Sequence, residues 1–218
     1  MPGIEARTTR ADRTRESILT AAERLLAEQG VAAVSSRRVS EAARQGNNAA
    51  VGYHFGSKAD LLRAIVRKHT TAIEQIRSDL LTAAADSTEL RDWVACLVRP
   101  YTEHLAALGN PTWYARFAVQ AMADPTYREI MTDEAFSAPS FQQTVEGLNR
   151  CLPRLPLPVR LERQEMASHL LLQVCAERER SLARGVPPTR RSWADAATGL
   201  IDVLVALWSA PITEYSIE

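Results

Sequence analysis

Cysteine is scarce in this chain. Cys96, Cys151 and Cys175 are the only three among 218 residues, odd in number and far apart, with no C-x-x-C pair. That excludes a disulfide framework or a thiolate metal or redox motif, and it fits a reducing compartment in which the three are small apolar core residues. No run of about 18 apolar residues exists, so no membrane span is expected. The early arginines are not followed by the apolar core of a signal peptide, and the protein is read as soluble and cytoplasmic. The four histidines, at 54, 69, 104 and 169, lack metal-ligand spacing. There is no H-E-x-x-H, no phosphate-cradling glycine loop and no nucleophile elbow. His169 and Cys175 can approach one another, but a pair without a third group is weak evidence for catalysis. The expectation is therefore no enzyme, no metal and no cofactor.

Apolar residues make up 46% of the chain, enough to bury a full core. Their period is helical throughout and no strand pattern survives, which predicts an all-α fold. The first helix is expected over 11–29, from Ile18, Ala22, Leu25 and Leu26, with Gly30 as its stop. Leu61, Leu62, Ile65, Val66, His69, Ile73, Ile76 and Leu80 predict a helix to about Ala84, about 36 Å long. Asp86-Ser87 is read as the cap of a helix over 88–108. Shorter helices are expected over 111–123, 126–133 and 139–152, and the prolines of 153–158 predict a stiff connector. Two long helices, 159–184 and 189–209, close the chain. The domains are placed at 1–57 and 58–218.

Residues 36–58 have the most specific pattern. Val39, Ala42 and Ala43 make one apolar helical face, with Ser36 read as its cap. Gln45-Gly46-Asn47-Asn48 breaks that helix, and Ala49, Ala50 and Val51 are small enough for a second helix to press against the first. Ser57 and Asp60 then form a capping signal for the long helix. This is helix-turn-helix spacing. The run Ala49-Ala50-Val51-Gly52-Tyr53-His54-Phe55-Gly56-Ser57-Lys58-Ala59-Asp60-Leu61-Leu62 resembles the DNA-binding motif of the tetracycline-repressor (TetR) family. Gly52 stands where that family often has a second aromatic, and Gly46 lies one place after its usual turn glycine.

The resemblance implies a transcriptional regulator: a homodimeric repressor, released from a palindromic double-stranded DNA operator when a small-molecule effector binds the larger domain. Formal charge is zero overall, yet residues 1–58 hold nine Lys/Arg against six Asp/Glu, a net of +3, leaving −3 for the rest. The basic end is expected to meet phosphates. Ser36, Arg37 and Arg38 can reach the backbone from the start of the first motif helix. Tyr53, His54 and Lys58 match family positions that touch phosphates. Asn47, Asn48, Ala49 and Gly52 are placed at base edges, where asparagine pairs with adenine and alanine meets a thymine methyl. The N-terminal arm, with Arg7, Arg10 and Arg13, can reach the duplex or merely solubilise.

Aromatic, sulfur-bearing and polar residues on apolar helices suggest an effector pocket built from Tyr101, His104, Trp113, Phe117, Gln120, Met166, His169 and Gln173, against the plainer reading of ordinary core. His69 is read as a satisfied core histidine. On the last helix Trp193, Ala197, Leu200, Leu204 and Leu207 repeat near heptad spacing, and the family's dimer interface implies that this stripe meets a second copy, against the plainer reading of a core hairpin within a monomer.

Overall fold

Ile18, Ala22, Leu25 and Leu26 are fully or nearly buried on one face of α1 (Arg10–Gln29), as their spacing predicts. Gly30, at φ +83°, ends the helix by donating its N–H to the Leu26 carbonyl. The computed structural model describes residues 10–44, 49–152 and 155–212, and among these it is all-α, with no strand. After α1 come α2 (Ser36–Ala42), α3 (Ala50–Phe55), α4 (Lys58–Ala84), α5 (Leu90–Leu108), α6 (Tyr114–Ala123), α7 (Pro125–Phe136), α8 (Pro139–Cys151), α9 (Leu157–Ala183) and α10 (Trp193–Ser209). None of them is long and apolar enough to cross a membrane.

The core is continuous from Ile18 to Trp208. α4 and α10 both pack along α5, α6 packs against α9, and α1 packs against α6 as well as against α2. The first helix is thus shared by the amino-terminal motif and the larger body.

Several boundaries move for local reasons. The long helix α4 begins at Lys58 under a Ser57 cap, whose Oγ accepts from Asp60 N–H at 3.1 Å. The helix expected from residue 88 begins only at Leu90. Ser87 is spent before it, accepting from Glu89 N–H and donating to Asp92. α9 starts at Leu157 instead of 159, because Pro158 falls in the first turn, where no intrahelical N–H is needed. α10 starts at Trp193 and not at 189, since Ser192 and Asp195 form a reciprocal capping box there.

Along α4 the buried face also departs from the expected stripe. Beyond Ile73 it continues through Arg77, Leu81 and Ala84, while Ile76 and Leu80 lie only half-buried. Cys96 and Cys175 are buried and Cys151 is half-buried. Burial pushes the Cys175 thiol up to about 12, so it stays protonated and unreactive at neutral pH.

Candidate nucleic-acid interface and the cavity behind it

The two motif helices are joined by one small polar side chain. Ser40, fully buried, donates from Oγ to the Ser36 carbonyl at 3.1 Å and accepts from Val51 N–H of α3 at 3.4 Å. Ala50 and Val51 are buried beside it, so their small size sets the close approach of the helices. Arg15 of α1 fixes the other end of α3. Its guanidinium donates to the His54 carbonyl at 2.8 Å and lies 4.2 Å from the centre of the Phe55 ring. Neither Ser40 nor Arg15 was singled out by the sequence pattern, since a serine beside an apolar face and an arginine on a polar one read as solvated residues.

The cap of α2 is Ser35, not Ser36: its Oγ accepts from Arg38 N–H at 3.3 Å. Ser36 is half-buried as the first helical residue, while Arg37 and Arg38 are exposed, Arg37 pairing with Glu41 at 2.9 Å. Asn47 and Asn48 lie outside the described residues, as does Arg7 of the arm. Ala49 is exposed at the start of α3, and Tyr53 projects with 85% of its surface open. Around Gly52 a Cβ would meet nothing within 4 Å, so this glycine leaves bare helix surface. Gly56, at φ +84°, closes α3. Lys58 takes a different place from the expected phosphate contact. It is half-buried, its Nζ donates to the Val31 carbonyl at 2.5 Å, and burial lowers its pKa.

Behind this face, α4 forms one wall of a cavity of about 400 Å³ with α5, α6, α7, α8 and α9. Its walls include Val66, Ile73, Leu97, Phe136, Phe141 and Leu171, with Thr70, Arg77, Tyr101, Tyr114 and His169 among its polar groups. Of the eight expected pocket residues, Tyr101 and His169 line it. The other six do not, each for a visible reason. His104 turns away to bond His69, and Phe117 is sealed in the core. Trp113 is half-buried at the start of α6, bordering a groove on α1. Gln120 is half-buried against the Gly30 turn, and Met166 and Gln173 occupy the solvent face of α9.

A buried polar chain links α1, α4 and α5. Glu23 of α1 meets His69 Nε2 at 2.9 Å, and His69 Nδ1 meets His104 Nε2 at 2.7 Å. Tyr114, a cavity residue, stacks on the His69 ring with centroids 3.7 Å apart. Burial, followed by the neighbouring His69 and Lys68, lowers the His104 pKa to about 4.

On α10, Ala197, Leu200 and Leu204 are buried within the single chain, and the helix packs along α5. Ala197 and Leu204 thus face inward, whereas Leu200 also borders the groove between α9 and α10. Trp193 and Leu207 are half-buried. What α9 and α10 leave uncovered is a groove bordered by Leu170, Val174, Gly199 and Val203.

Residues 18–65 match the family model described as bacterial regulatory proteins, tetR family. No curated protein matches the sequence significantly. Among solved structures, the chain is similar to the TetR family transcriptional regulator PfmR from Thermus thermophilus, at 17% identity over 95% of this chain and 100% of that one, TM-score 0.52. It is also similar to the multidrug binding protein EbrR, solved with imidazole, at 20% identity over 91% and 97% of the two chains, TM-score 0.50. These likenesses are of fold. Residues 18–65, from within α1 to the start of α4, are therefore similar to bacterial regulatory proteins of the tetR family, and they sit on an all-α body.

Proposed function

We propose that the protein is a homodimeric, ligand-responsive repressor that leaves a palindromic operator when a small molecule enters the cavity. The observation that carries this reading is the course of α4. It begins at Lys58 beside the reader helix α3, and its Val66, Thr70, Ile73 and Arg77 form a wall of the cavity. A ligand pressing on that wall acts on the same rigid helix that sets the position of the reader. Two readers held by a dimer seat together about 34–36 Å apart, one turn of the duplex. A shift of α4 changes that separation, and the operator is released.

Arg37, Arg38, Tyr53 and His54 position the domain on phosphates, while Ala49, Gly52, Asn47 and Asn48 meet base edges. Lys58 acts in this reading by holding α4 to the Val31 carbonyl. The groove of α9 and α10, with exposed Val174 and Val203 and with Leu200 along its side, is the face that pairs with a second copy, while Ala197 and Leu204 stay in the core.

A mobility-shift assay with the duplex upstream of the protein's own gene tests the DNA reading. Binding is expected to weaken steeply as salt rises. Gly52→Ala should weaken or re-specify binding without unfolding the protein, because the added methyl touches nothing in the chain and alanine favours a helix over glycine by about 1 kcal/mol. No duplex binding at low salt would overturn the regulator reading, and unchanged operator selectivity in Gly52→Ala would remove Gly52 from the reader face.

A further inference from the structure

The buried face of α4 carries one permanent cation at a core position. Leu61, Ile65, His69, Ile73, Arg77 and Leu81 follow at four-residue steps, and Arg77 is only 6% exposed. Its guanidinium carbon lies 5.3 Å from the centre of the Phe141 ring, and Nε donates to the Cys96 carbonyl at 3.2 Å. The terminal nitrogens make no hydrogen bond among the described residues. The ion-pair partner of Arg77, Glu74, is 3.8 Å away, too far for one. Glu74 is anchored elsewhere, since its Oε1 accepts from Ser140 N–H at 2.7 Å at the start of α8. Glu74 therefore balances the charge of Arg77 without filling its donors. Arg77 lines the cavity, as does Tyr101, whose buried hydroxyl also lacks a partner among the described residues. Burial lowers the Arg77 pKa, yet a guanidinium remains charged at neutral pH. With its terminal donors unfilled, the guanidinium lines the cavity as a planar fork, which is matched best by a carboxylate.

We propose that the cavity takes an organic weak acid with an apolar body, its carboxylate held by the terminal nitrogens of Arg77. The assignment rests on the reading of this cavity as the effector site. Val66, Ile73, Phe136 and Leu171 surround the apolar body. A neutral apolar compound leaves the guanidinium unfilled, and a cation is repelled by it.

Titration calorimetry with 4-phenylbutyrate and decanoate, each against its primary amide, tests the assignment. The acids should bind roughly 10- to 100-fold more tightly than the amides, the range for a charge-assisted hydrogen bond. Arg77→Met should abolish that preference, and Arg77→Lys, which keeps the charge without the fork, should retain part of it. Circular dichroism confirms that each variant is folded, and the lysine variant carries the test if the methionine variant is not. Equal binding of acid and amide by the wild type, or an acid preference that survives in folded Arg77→Met, overturns the proposal. So does failure of all four compounds to bind. If the amides bind and release DNA as well as the acids do, the anion assignment falls and the effector reading stands.

Discussion

His69 is 1% exposed and uses both ring nitrogens, one toward Glu23 and one toward His104. Three helices, α1, α4 and α5, therefore share one buried hydrogen-bonded chain. The helical period of α4 places His69 on an apolar face, which foretells a satisfied core histidine. Its partners lie 46 and 35 residues away, so no local pattern could identify them. His104 has a consequence for stability. Its folded pKa, about 4, lies below the ordinary 6.5, so the unfolded chain takes up the proton first as pH falls. The stabilising contribution is complete above about pH 6.5 and is lost as pH drops toward 4. The groups facing this ring are His69 and Lys68 of α4 and the edge-on Tyr114 of α6. Urea midpoints measured from pH 7.5 to 4.5 should therefore fall more steeply in the wild type than in His104→Gln; parallel slopes would show that the ring does not titrate this way.

At the scale of elements, most helices were legible because each keeps a 3.6-residue apolar period, as in α1 and α4. Their ends were less so where the cap is tertiary. α6 has no side-chain cap of its own. Its first N–H groups are met by Glu179 of α9, whose carboxylate accepts from Ala115 N–H at 3.1 Å and from Arg116 N–H and Nε at 3.0 and 2.9 Å. Arg163 does the converse for α10, donating to the carbonyls of Trp208 and Ala210 at 2.9 and 2.7 Å. Arg178 holds the segment before α10 by the carbonyls of Arg190 and Arg191. Glu179→Ala would leave two backbone N–H groups unpaired and the half-buried Arg116 guanidinium without its carboxylate, held only by the Thr112 carbonyl, and should cost roughly 3 kcal/mol in urea denaturation. A loss below about 1 kcal/mol, the worth of an exposed pair, would contradict that role.

On the scale of the whole molecule, Val174 of α9 and Val203 of α10, 38% and 53% exposed, border an uncovered apolar groove. Under the proposed pairing, Val203→Glu leaves the monomer's core untouched and buries a charge in the interface. Light scattering should then report a dimer for the wild type and a monomer for the variant. A wild-type monomer at micromolar concentration, or a variant that still pairs, would reject this face.

The sequence by itself determined the helical class, the positions of the helix-turn-helix elements and the core face of the long helix as far as Ile73. Those features depend on neighbours three or four residues apart, which a linear chain displays directly. Only the tertiary structure decided which residues meet across helices. It sent His104 to His69, sealed Phe117 in the core, turned Ala197 and Leu204 inward, and put Arg77 where Ile76 was expected. A helical period says which residues share a face; the element that covers that face is chosen by packing between segments far apart in the chain.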